Sequence, residues 1–363
     1  VRAAIFHTVG DDKVEIRDDV TVIGPAAGEV RIRVRAAGVC HSDRSTRDGV
    51  LPHPMPVVLG HEASGDVIAV GDGVDDLAEG DRIVVNWLPA CGACPSCARG
   101  ESYLCLTNVL AGYAQPRFLV GETPVFAMAG CGAFAEEIVI PRAGAVKVAP
   151  DVPYEVAALV GCGVMTGVGA VINTARVEPG AAVAVIGCGG VGIAAIQGAR
   201  LAGAAVIVAV DTVEAKQQAA LRFGATHRCG PEALGELSAQ LTDGEGFDTV
   251  FDVVAVPQTL RAAWTAARRG GTVVVVGAGR SDQQVVFSPF ELLFEGKSIT
   301  SSLYGASQAP RDFDRMFDLW RAGRLDLSEM ITHRLRLEEI GDALAALGRG
   351  DVIRQVICND GAS

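Results

Sequence analysis

Positive charge is the first thing this chain lacks. Its 31 lysines and arginines face 43 aspartates and glutamates, giving a net charge of −12. That balance argues against nucleic acid or an anionic membrane as the main partner. Charged residues make up only 20% of the chain against 49% apolar ones, the balance of a compact globular protein with large buried elements. Unbroken apolar runs are missing too. Residues 156–175 and 181–199 carry no charge, but Cys162, Thr166, Asn173 and repeated glycines interrupt the first. The second holds five glycines and divides into a strand, a turn and a helix. Both are expected to be buried core and not membrane spans. No signal-peptide-like segment precedes the ten cysteines, and four of these cluster at a spacing suited to metal. A reducing cytoplasm is therefore expected. A length of 363 residues favours two domains over one.

The chemistry gathers at Cys40-His41-Ser42-Asp43, Gly60-His61-Glu62 and Gly161-Cys162-Gly163. Singly, Cys40, His61 and Cys162 would pass for buried core residues. Together, two thiolates and one imidazole suit zinc, with a fourth position open as in a catalytic site. A second set, Cys91, Cys94, Cys97 and Cys105, lies in a stretch rich in glycine and proline. Four sulfurs close a tetrahedral ion completely, which describes a structural zinc lobe at about 88–107. Around these motifs short alternating segments, such as Val30, Ile32 and Val34 on one face, suggest a β-barrel-like domain.

At Pro179-Gly180 the character changes. The apolar stretch 181–186 leads into Gly187-Cys188-Gly189-Gly190-Val191-Gly192 and a helix, and a second apolar stretch ends at Asp211. A glycine fingerprint between strand and helix, followed by an acidic residue, binds a dinucleotide. Its pyrophosphate rests on the helix N-terminus. Asp211 can accept the ribose hydroxyls and would repel a 2′-phosphate, so NAD is expected over NADP. Strand and helix then alternate to 298–304, giving about six parallel strands and a doubly wound sheet.

These motifs, in this order and with Val352-Ile353-Arg354 near the end, resemble the zinc-dependent medium-chain alcohol dehydrogenases over nearly the whole chain. The resemblance implies an α/β protein with a GroES-like β-barrel catalytic domain (1–163 and 304–363) and a Rossmann coenzyme domain (164–303). It implies that the active site lies in a cleft between them. By that similarity Cys40, His61 and Cys162 hold a catalytic zinc, Glu62 and Asp43 lie beneath it, and the four-cysteine lobe holds a structural one. His41, Thr166, Val191, Lys216 and Arg354 match coenzyme contacts. Ser42 matches the hydroxyl that takes the alcohol proton, although it also suits a helix N-cap.

Two departures from the family pattern stand out. Where many relatives carry a histidine that ends the proton relay, this chain has Ser45. The branch most similar, the glutathione-dependent formaldehyde dehydrogenases, anchors its substrate at positions that are Leu51 and Val109 here. With Trp87 and Phe134 these residues are expected to line an apolar pocket for a primary alcohol or aldehyde. The expected partner is a second copy of the chain, as a homodimer or a dimer of dimers. Two other readings are compatible with the motifs: an enzyme that keeps its nicotinamide bound and uses an external acceptor, and a non-catalytic binding protein on the same fold.

Overall fold

The computed structural model describes residues 1–350 and 352–359, without the side chain of Val109. The chain separates into two units, one of residues 1–162, 308–323 and 327–363, the other of residues 163–307 and 324–326.

The first unit is built from two sheets, of six and seven strands. Its longest strand, Glu29–Val39, alternates buried residues with half-buried or exposed ones before becoming wholly buried toward Cys40. On one side it pairs with Glu62–Val70, on the other with Glu137–Pro141 and the tail strand Arg354–Cys358. Those pairings bring His61, Glu62 and Arg354 close to Cys40 from distant parts of the sequence. Phe6, Ile32, Leu59, Phe118 and Phe134 fill the core at 1% exposure or less.

In the second unit six strands lie parallel, in the order 227–229, 206–210, 182–186, 247–252, 267–275, 298–301. By chain order this is 3-2-1-4-5-6, the arrangement of dinucleotide-binding sheets. The strand expected at 298–304 stops at Ser301, and a tight turn, Leu303–Ala306, follows with Tyr304 at φ 52°.

Residues 156–175 are buried core, as expected, but their polar residues and glycines do not interrupt them. They belong to one helical run, Tyr154–Ala175, long and apolar enough to cross a membrane, yet its most apolar 18 residues are 89% buried within the fold. Its glycines did not break it, because they admit neighbours: a Cβ on Gly167 would meet the Ala194 methyl at 2.6 Å and the Ala195 nitrogen at 2.7 Å. Packing outweighs a propensity penalty of about 1 kcal/mol per glycine. Two stretches of the run, Val160–Val164 and Ala170–Ala175, wind as π-helix.

Candidate active site

Cys40 directly follows the long strand and caps the helix His41–Arg47. Ser42, a candidate for that cap, is instead the helix's second residue, with its hydroxyl 3.8 Å from Cys40 Sγ. Asp43, fully buried, organises the surroundings. Its carboxylate accepts the backbone N–H of Cys40 at 2.8 Å and of Gly60 at 3.2 Å. It also accepts Nδ1–H of His61 at 3.0 Å. This bond leaves Nε2 as the nitrogen that faces a metal.

Cys40, His61, Glu62 and Cys162 bring one donor atom each within 4.8 Å of the others, all four buried. One oxygen of the Glu62 carboxylate pairs with Arg354. The other, Oε1, is buried without a hydrogen-bond partner, a costly arrangement unless a cation is near. The charges agree. Hydrogen bonding to Cys162 holds the Cys40 thiol well below its usual range against the opposing effect of burial, with His61 and Arg354 assisting. Burial works to lower the His61 pKa, but Asp43 and the Cys40 sulfur push it up to about 10. The field at this point favours positive charge, and the donor set fits zinc.

The four remaining ligand candidates, Cys91, Cys94, Cys97 and Cys105, also lie within 4.8 Å of one another. Backbone N–H groups point at sulfur, Cys94 to Cys91 and Cys91 to Cys105, each at 3.3 Å. Hydrogen bonds from Ala93, Thr107 and Cys94 draw the Cys91 thiol down to about 6. All ten cysteines are free, so among the described residues no disulfide competes with metal.

In the second unit Gly187 adopts φ +96°, a left-handed turn that only glycine takes cheaply. A Cβ on Gly192 would collide with the Gly187 carbonyl, whereas nothing lies within 4 Å of one on Gly189. The helix Gly190–Ala202 starts there, with its first N–H groups available to an anion. Asp211 is fixed at the end of its strand by N–H groups of Cys188 (2.8 Å) and Val213 (2.9 Å). Each carboxylate oxygen keeps a lone pair for a ribose hydroxyl.

Known proteins share this layout. Residues 26–151 match the alcohol dehydrogenase GroES-like domain and residues 190–321 the zinc-binding dehydrogenase domain. The chain is 36% identical to alcohol dehydrogenase class-3 of Cereibacter sphaeroides, covering 98% of this chain and 99% of that protein. This chain belongs to the zinc-dependent medium-chain alcohol dehydrogenase family. It is 38% identical to alcohol dehydrogenase B of Mycobacterium tuberculosis over 94% of each chain. The crystal structure of benzyl alcohol dehydrogenase from Acinetobacter calcoaceticus superposes with a TM-score of 0.90 at 29% identity, covering 98% of both chains. As a member of this family the chain is an oxidoreductase whose two donor sets fit two zinc ions and whose glycine turn fits a nicotinamide dinucleotide.

Within this dehydrogenase the expected pocket residues fare differently. Trp87 stands edge-on to His61, ring centroids 6.0 Å apart. Leu51 is half-buried, its N–H bonded to the Ser45 carbonyl at 3.1 Å, which folds its loop onto the helix of Ser42. Phe134 is 0% exposed, packed in the barrel core with its N–H on the Leu59 carbonyl, and offers no surface to a ligand. The side chain of Val109 lies outside the described residues. His41 is exposed and Thr166, Val191 and Lys216 are half-buried. Arg354, matched to a coenzyme contact, is spent on Glu62 as well. Sequence reading missed that pairing, since the partners stand 292 positions apart; only the tail strand's antiparallel register beside Glu29–Val39 brings them together.

Proposed function

We propose that this enzyme reversibly oxidises a primary alcohol to its aldehyde with NAD as hydride acceptor. The observation that carries the reading is the buried set of Cys40, His61, Glu62 and Cys162 with one Glu62 oxygen unpartnered. When bound, zinc supplies a Lewis acid that lowers the pKa of an alcohol, and NAD supplies the hydride acceptor. Cys40, His61 and Cys162 are the proposed ligands, with Asp43 keeping His61 in the tautomer that can ligate. Ser42, beside Cys40, receives the alcohol proton and passes it outward. Ser45 carries no imidazole for the last step, so the proton leaves by way of water. Trp87 walls the reacting carbon beside His61, and Leu51 extends the apolar lining.

For the coenzyme, Gly187, Gly189, Val191 and Gly192 form the pyrophosphate turn, and Asp211 and Lys216 hold the adenosine ribose. His41, Thr166 and Arg354 complete the contacts. Cys91, Cys94, Cys97 and Cys105 hold the structural zinc. The first unit is the catalytic domain and the second the coenzyme domain. The strand Ser298–Ser301 is wholly exposed and paired on one side only, and the helix before it, Pro289–Glu295, exposes Phe290 and Leu293; a second copy covering this edge makes a homodimer. The ten free thiols suit the cytoplasm. Formation of NADH from a panel of primary alcohols tests the activity. No turnover with added NAD across the panel would overturn it.

A further inference from the structure

Cys162 comes to its place differently from the other ligands. Cys40 caps a helix and His61 precedes a strand, whereas Cys162 lies inside the π-helical stretch Val160–Val164 of a long helical run. A π-turn carries one residue more than an α-turn and re-aims the side chains after it, and such turns concentrate at functional sites. The preceding residue, Gly161, is where this turn meets the barrel. A Cβ there would stand 2.8 Å from the Val85 carbonyl oxygen and 3.5 Å from Val84 Cγ2. The first of these is backbone that cannot step aside. Val84 pairs with Ser64 of the strand that begins at Glu62 and with Val146 on its other side; Val85 pairs with Ala145. The surface against which Gly161 rests is therefore tied by one ladder to the strand that begins at Glu62, directly after His61, and is held on its other side by a second ladder to Ala145–Lys147.

We propose that Gly161 is a positioning residue: by letting the π-turn seat directly on the Val85 carbonyl, it sets the reach of the Cys162 sulfur to Cys40 and His61. An alanine there must lift the turn off the strand, and the ligand set opens on the Cys162 side alone. The inference rests on the reading of Cys162 as a zinc ligand.

The test compares unmodified protein, Gly161→Ala, Cys162→Ala and, as control, Gly235→Ala, whose Cβ would meet nothing within 4 Å. Zinc is counted, and cobalt is titrated into the exchangeable site while its visible absorption is followed. Gly161→Ala is expected to keep the lobe zinc, bind cobalt about 10- to 100-fold more weakly and show an altered thiolate–cobalt band. Gly235→Ala should match the unmodified protein. Unchanged cobalt affinity and spectrum in Gly161→Ala overturn the inference. So does failure of Gly161→Ala to fold while Cys162→Ala folds, because the glycine then serves the barrel and not the ligand. Only one zinc in the unmodified protein would instead overturn the ligand reading itself.

Discussion

Replacing Arg354 by methionine should be among the most damaging single changes in this protein. Glu62 is 0% and Arg354 4% exposed, and their ion pair joins the barrel to the tail strand. Removing the guanidinium while keeping its volume leaves a buried carboxylate with one oxygen newly bare and the other already without a partner. Breaking a buried pair from one side typically costs about 3–5 kcal/mol. For a unit of this size each kcal/mol lowers Tm by about 2–4 °C, so Arg354→Met should melt about 6–20 °C lower. The double variant Arg354→Met, Glu62→Gln removes the stranded charge and should recover part of the loss, revealing coupling between the two positions. Calorimetry of the metal-loaded proteins reads both effects. A shift under about 2 °C for Arg354→Met, or a double variant no more stable than the single one, would refute the reasoning.

Asp211 should favour NAD over NADP by roughly 3–5 kcal/mol in kcat/KM, and Asp211→Gly should narrow that gap. Equal efficiency with both coenzymes in the unmodified enzyme would contradict its role. Trp87 beside His61 should disfavour secondary alcohols by about 1–3 kcal/mol, or roughly 5- to 150-fold, against primary isomers of equal carbon count. Trp87→Ala should help the secondary alcohols more; if they already match the primary ones, Trp87 does not face the substrate. Light scattering at micromolar concentration should find a dimer that Ile299→Glu on the edge strand dissociates, and a stable monomer in the unmodified protein would remove the proposed interface.

The coenzyme unit was the more legible half of this chain, for a physical reason. Strand, turn and helix follow one another within residues 182–202, so the glycine pattern and the fold it needs are local. The barrel is different. Glu15–Arg17, Val20–Val22, Phe118–Val120 and Ala145–Lys147 are only three residues each, too short to show a period, and the pairing of Val20–Val22 with Phe118–Val120 and of Ala145–Lys147 with residues 83–85 joins segments far apart in sequence. Metal ligands were readable as types and spacings, since a thiol or imidazole carries its chemistry wherever the chain places it. Their supports were only partly so. Asp43 could be placed beneath the metal, but its tie to His61 Nδ1 and the use of Arg354 on Glu62 depend on pairing registers that no local pattern encodes. Phe134 misled for a related reason: its type suits a pocket wall, yet its backbone bond to Leu59 turns it into the barrel core.

The most direct test of the account is the zinc content of the freshly purified protein beside its Cys162→Ala and Cys94→Ala variants at neutral pH. Two sets of donors predict two zinc ions per chain in the unmodified protein. Cys162→Ala should keep the lobe ion, fold and lose NADH formation, whereas Cys94→Ala should lose the lobe ion and chiefly stability. One zinc or none in the unmodified protein, or two retained in Cys162→Ala, would contradict the assignment of a separate catalytic ion to Cys40, His61 and Cys162.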